Sequence, residues 1–371
     1  MKKMLHTALA VSISLALTGQ VAAAEQSNDD KWQVDAPKGQ FLDAKISVEQ
    51  GTWMNVDISP DGKTVVFDLL GDIYTMPMSG GTATQLTSDI AWQMQPRFSP
   101  DGKHIAFTSD QGGGDNIWVM DLNGENQKAV TNETFRLLNS PAWSPDGDYL
   151  VARKHFTASR SLGAGEVWLY HKAGGKGVQL TARENDQKDL GEPMFSPDGR
   201  YVYFSHDATP GKTFHYSKDS VAGIYKIKRY DRETGEIETI IDGMGGAIRP
   251  TPSPDGKKLA YIKRDDFQTS LYLYDLHTGE HTKLYGELER DMQETWAIHG
   301  VYPTIAWTPD NEQLVFWAGG TIHKLDVDDK SVSTIPFKVE TNKQIQKAVR
   351  FTQNIDSDNF DVKMLRNVQI S

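Results

Sequence analysis

The stretch PRFSPDGKHIAFTS (96–109) decides how the chain is read. Its centre, SPDG (99–102), has the chemistry of a tight reversal. Proline presets φ, the aspartate carboxylate bonds amides just downstream, and glycine accepts φ > 0. The reversal joins a short apolar segment, PRFS, to an alternating one, HIAFTS, and period-two alternation marks a strand. The same tetrapeptide stands at 59–62, 144–147, 196–199 and 253–256, with TPDN at 308–311, in steps of 40, 45, 52, 57 and 55 residues. Such recurrence is an internal repeat and not chance.

Each unit continues alike. A third strand follows, as in NIWVMD (116–121), EVWLYH (166–171) and SLYLYD (270–275), then a second turn such as LNGEN (122–126) or HTGEH (277–281), then a strand ending in QLT, AVT or KLY. The alternation excludes an α-solenoid. Four antiparallel strands per repeat are the signature of a β-propeller blade, which buries both faces only when neighbours stack around an axis. The expectation is therefore an all-β chain, a β-propeller of four-stranded antiparallel blades, with six complete blades between about Trp53 and Ile335. Residues 25–50 form a leader, either free or lending a strand that closes the ring. The last residues, RNVQIS (366–371), repeat MNVDIS (54–59), so they read as the first strand of a seventh blade, and the propeller of 51–371 is expected to be truncated in mid-blade.

Composition agrees with a turn-rich β protein: 371 residues, 32 glycines, 16 prolines, 10% aromatic and 24% charged residues exclude collagen-like and wholly disordered chains. The net charge of −11, with no basic cluster, disfavours nucleic acid as a partner. Residues 1–24 begin with Lys2 and Lys3, continue with an apolar run from Ala8 to Leu17, and end in small residues at Ala22 and Ala24. This is the pattern of an export signal cleaved after Ala24, which predicts a periplasmic protein. The run is too short and serine-interrupted for a membrane span, so no anchor is expected after cleavage. The lack of cysteine fits an oxidising compartment.

Repeat length grows in two places only, between strands two and three and between blades. Examples are HFTASRSLGAG (155–165), DATPGKTFHYSKDSVAG (207–223), ARENDQKDLGE (182–192) and GELERDMQETWAIHGV (286–301). In a meander both loop classes emerge on one face, so one face is elaborated and is the expected seat of function. It gathers His155, Arg160, Asp186, Asp189, His206, His215, Arg290, Asp291, Glu294, Trp296 and His299, read as a docking or substrate-gating face. The histidine spacing matches no metal-ligand motif, and His277 with His281 lies on a hairpin. Trp296, with Met292 and Tyr302, either anchors a partner or packs beneath its own loop. Gly112 to Gly114 make a turn, not a phosphate cradle. The chain holds no Gly-x-Ser-x-Gly elbow, His-Glu-x-x-His, His-x-His or cysteine nucleophile. No catalytic, cofactor-binding or metal-ligating residue is therefore assigned in this chain.

The repeat, with its Ser-Pro-Asp-Gly turn, Ile-Ala-Phe strand and Ile-Trp-Val-Met-Asp strand, resembles the propellers of the TolB-like group, which occur alone and as N-terminal halves of exported hydrolases and peptidases. The longer stretches VVFDLLGDIYTMPMSGG (65–81), ARKHFTASRSLGAGEVWLYH (152–171), NDQKDLGEPMFSPDGRYVYFS (185–205) and RDMQETWAIHGVYPTIAWTPD (290–310) resemble the N-terminal propeller of exported amidohydrolase-family proteins. That resemblance implies a metal-dependent hydrolase acting on amide or related bonds, zinc or another divalent metal in a C-terminal amidohydrolase-like domain of the same polypeptide, and a scaffolding or gating role for this chain. The alternatives are a non-enzymatic TolB-like propeller binding a peptide or an envelope protein, and the propeller of an exported serine peptidase.

Overall fold

The computed structural model describes residues 33–135, 137–157, 163–212, 218–295, 297–348, 358–359 and 363–370. The expected export signal, together with Arg160, His215 and Trp296, lies outside the described residues.

Six antiparallel four-stranded sheets follow one another, each a meander in sequence order. Blade 1 comprises Val56–Ile58, Thr64–Leu69, Asp72–Pro77 and Thr84–Gln85, and blade 6 comprises Ala306–Trp307, Gln313–Ala318, Thr321–Asp326 and Val332–Ile335. First strands lie innermost, where those of neighbouring blades meet, while fourth strands such as Val178–Gln179 are exposed at the rim. The core is a series of apolar layers between consecutive blades, and the largest joins blades 5, 6 and 1.

The repeated turn does what its chemistry predicts. In blade 1 the Ser59 hydroxyl donates to Asp61 Oδ1 at 2.6 Å and accepts from Thr64 N at 3.0 Å, while Gly62 N donates to Ser59 O at 2.8 Å. Hydrogen bonds from Ser59 and Lys63 hold the Asp61 carboxyl below its usual range, as their counterparts do at Asp101, Asp146 and Asp198. The turn glycines have φ of 66° to 74°, and Asn311, in the sixth turn, has φ 67°. These turns also touch around the ring. A methyl added to Gly102 would sit 3.6 Å from Pro60 Cδ, and one added to Gly62 would sit 3.4 Å from Pro309 Cδ. Asn311 completes the circle, its Oδ1 accepting from Asp255 N at 2.8 Å.

The ring closes directly between blades 6 and 1. Thr304 Oγ1 accepts from Val56 N at 2.9 Å and donates to Val56 O at 2.8 Å, and Thr304 N donates to Asn55 Oδ1 at 3.0 Å. The described residues Arg366–Ile370, expected to open a seventh blade, are exposed and form no strand. A first strand is held by its own second strand and by the first strands on either side.

The leader supplies a strand, though not to a blade. Blade 1 draws all four of its strands from residues 56–85, so the leader adds none to it. Instead Phe41–Val48 pairs antiparallel with Phe337–Gln346, and Phe337–Lys338 pairs in parallel with Gly81–Thr82 at the rim of blade 1. The strand leaving blade 6 is thus stitched onto blade 1 as a clasp. Phe337 and Val339 are buried in the shared core, and Lys343 reaches Asp72 at 2.6 Å.

Replacing Thr304 by valine keeps the shape and strands both polar groups of Val56. The Thr304→Val variant is expected to lose about 1–3 kcal/mol of stability in urea unfolding, with an unchanged far-ultraviolet spectrum.

Candidate functional site

The elaborated face is organised by the residue four positions before each turn serine or threonine: Asn55, Gln95, Ser140, Glu192, Arg249 and Thr304. All six are buried at the start of an inner strand. At Gln95, Ser140, Glu192 and Arg249 the backbone has φ of 56° to 57° and the ladder register shifts, so each strand bulges there. A bulge re-aims the side chain toward the neighbouring blade. Gln95 Oε1 accepts from Ser140 N at 2.7 Å, and Glu192 Oε2 accepts from Arg249 N at 2.8 Å and from Ser205 Oγ at 2.6 Å. Asp68, at the end of blade 1's second strand, accepts from Gln95 N at 2.8 Å. The channel mouth is therefore a belt of buried polar contacts between blades.

The segment 286–305, joining blades 5 and 6, crosses this mouth. Its footing is on blade 5, where Arg264 donates to Asp291 at 2.7 Å and pairs with Glu294, and Thr269 Oγ1 donates to Asp291 at 2.8 Å. Its far part reaches blades 2 and 4. Val301 N donates to Glu192 Oε1 at 2.7 Å, Gln95 Nε2 donates to His299 O at 2.5 Å, and His299 Nε2 lies 2.7 Å from Asp115 Oδ2. Gly300 (φ 109°) is required there, since a Cβ would sit 2.4 Å from Arg249 Nη2, which is 3.0 Å from Glu192 Oε1.

Between this segment and blades 1 and 2 lies a cavity of about 440 Å³. Trp53, Leu70, Trp92, Met94, Met292 and Ile298 supply apolar wall, and Asp68, Gln93 and His299 the polar part. Burial pushes the Asp68 carboxyl up to about 6, against hydrogen bonds from Gln95 and Asn55 that act the other way.

The residues expected on this face have divided roles. Asp186 and Arg290 are exposed, the first bonded to Arg183 at 3.0 Å and the second to Glu294 at 3.2 Å. His155, Asp189 and Asp291 are buried, the first two beside Arg153, which lies 3.0 Å from His155 Nδ1 and 2.6 Å from Asp189 Oδ1. These three secure the loops and do not face outward. His206 is also buried, and desolvation with Lys228 nearby pushes it down to about 4, leaving it uncharged at neutral pH. Of the described members of the set, His299 lines the cavity. Sequence reasoning missed Asp68, Glu192 and Arg249. For the last two the signal was present, because the position four before the turn is polar in every repeat although the strand around it is apolar. Among the described residues, no three His, Cys, Asp or Glu side chains are grouped to hold a metal ion.

Burial raises the Glu294 carboxyl, but hydrogen bonds and charge from Arg264 outweigh it and hold the group at about 2. A depressed carboxylate stabilises the fold above its unfolded pKa of about 4.5, and the contribution is lost as pH falls toward about 2. Glu294→Gln should cost about 1–2 kcal/mol in urea titrations at pH 7, allowing for partial solvent screening, and the gap to wild type should shrink progressively below about pH 4.5.

Residues 43–216 match the family described as TolB beta propeller domain. The chain is 28% identical over 234 residues to an uncharacterized protein of Agrobacterium fabrum, a match covering 59% of this chain and 73% of that protein. It is 24% identical over 337 residues to dipeptidyl-peptidase 5 of Porphyromonas gingivalis, covering 76% of this chain and 46% of the peptidase. This chain therefore spans about half the length of that peptidase relative. Among solved structures, TolB from Acinetobacter baumannii superposes with a TM-score of 0.57 at 17% identity, covering 77% of this chain and 65% of that one. At that identity the likeness concerns fold alone: the chain has the β-propeller fold, and its residues 43–216 match the TolB propeller repeats.

Proposed function

We propose that this chain is the propeller portion of an exported peptidase, a docking and gating module for a catalytic domain outside it. The observation that carries the reading is the distribution of exposed apolar side chains. Leu70, Trp92, Phe135, Met244 and Phe267 all stand on loops of the elaborated face, with Phe135 and Met244 each 70% and Phe267 85% exposed. Among the described turns of the opposite face, Leu122 is the counterpart. Apolar surface gathered on one face is what a covering domain requires. The segment 297–302 over the channel mouth shields that side of the axis, in keeping with a gate. Export rests on the pattern of residues 1–24.

The amidohydrolase parent implied by the longer stretches, with its zinc or other divalent metal, is not carried forward, because the peptidase and TolB relatives give it no support. A TolB-like binding module is the second reading, favoured by the Agrobacterium fabrum relative, most of whose length this propeller accounts for.

The reading frame beyond the codon for Ser371 tests the proposal. A Gly-x-Ser-x-Gly elbow several hundred residues on is expected, whereas a His-x-His motif or a stop codon after one further strand contradicts it. In the full-length protein, Met244→Glu with Phe267→Glu should leave propeller stability within about 0.5 kcal/mol of wild type. The same pair should speed proteolysis between propeller and catalytic domain, and unchanged proteolysis would remove this face from the interface.

A further inference from the structure

The cavity between blades 1 and 2 holds a charge without a partner. Asp68 is buried, and its oxygens accept from Asn55 N at 2.7 Å, Asn55 Nδ2 at 2.8 Å and Gln95 N at 2.8 Å, all neutral donors. No ion pair to Asp68 forms among the described residues, although buried carboxylates ordinarily have one. Beside it Gln93 is fully buried, with Nε2 committed to Asp89 Oδ1 at 2.6 Å and Oε1 receiving no donor. One cationic donor would satisfy both, supplying the missing charge to Asp68 and the missing hydrogen bond to Gln93 Oε1. The rim repeats the sign, since Asp89, Asp110 and Asp115 lie close enough for Asp89 and Asp115 to raise the Asp110 carboxyl beyond the effect of its own burial. The cation acting on Asp89, Lys343, is bonded to Asp72 at 2.6 Å.

The walls specify what kind of cation would fit. Trp53 and Trp92 present indole rings, and Trp92 is held in place from two sides: its N donates to Asp110 Oδ1 at 2.8 Å, and a Cβ on Gly71 would stand 2.7 Å from its ring. Indole faces attract organic cations. A metal ion held directly by the protein needs several ligands, and no three His, Cys, Asp or Glu side chains are grouped to supply them among the described residues. The cavity of about 440 Å³ is of ligand size.

We propose that this cavity binds a protonated amine carried on an apolar group, with the ammonium at Asp68 and Gln93 and the apolar part between Trp53 and Trp92. The inference goes beyond the peptidase reading and does not rest on it, since every group involved lies in this chain. The amine can be a free monoamine or the amino terminus of a peptide. Calorimetry on the full chain at neutral pH uses phenethylamine and Phe-Gly-Gly as probes of the two sources, each against its N-acetylated form. At least one amine should bind, and acetylation should weaken it roughly ten- to hundredfold, the scale of a lost charge-assisted hydrogen bond. The tighter of the two names the source. Asp68→Asn should abolish binding. Because that change also disturbs the Asn55 and Gln95 amides, Trp92→Ala, at a half-exposed position, serves as the second variant and should weaken binding about tenfold with native melting. The proposal is overturned if neither amine binds, if an acetylated probe binds as well as its amine, or if a natively melting Trp92→Ala binds like wild type.

Discussion

A four-stranded meander exposes apolar surface on both faces, and no blade of this chain is stable alone. The structure depends on the joint where blade 6 meets blade 1, because there two whole blades more than two hundred positions apart in sequence must find each other. Thr304 and Asn55 form that joint on the elaborated side, Pro309 against Gly62 forms it on the turn side, and Phe337–Gln346 stitches it at the rim. The largest core layer lies across it, so burial and hydrogen bonding close the ring at one place.

From that closure follows the character of the two faces. The turn face is uniform because the serine, aspartate and glycine of each tetrapeptide satisfy one another locally and leave space only for the neighbouring proline. The other face carries the variation. Its bulged inner strands direct Gln95 and Glu192 at the next blade, and this polar belt gives the segment 286–305 fixed points on which to cross the axis. The same crossing makes the wall of the cavity that contains Asp68.

Much of the fold was legible because its determinants are local. SPDG, the alternating strands and the terminal threonines act within one repeat. Thr87, Thr131 and Thr181 each accept the amide fourteen residues earlier and end the fourth strand at the same point. What was not legible is set by contacts distant in sequence. Arg366–Ile370 have the local pattern of a first strand but form no strand among the described residues. The leader pairs with Phe337–Gln346 and not with a blade, a choice that local propensity does not encode. On the elaborated face, His155, Asp189 and Asp291 had the composition of exposed loop residues. Their partners Arg153 and Arg264 sit on second strands, hidden in the alternation, and draw them inward.

Native-state hydrogen exchange at Val56 and Thr304 tests the central claim, closure on six blades, most directly. If the ring is closed as described, both amides exchange only through global unfolding, with protection equal to that of the most protected amides in central strands such as Tyr149–Thr157. Protection at Val56 and Thr304 well below that level, with the other inner strands unaffected, would show an open seam between blades 6 and 1 and contradict the account.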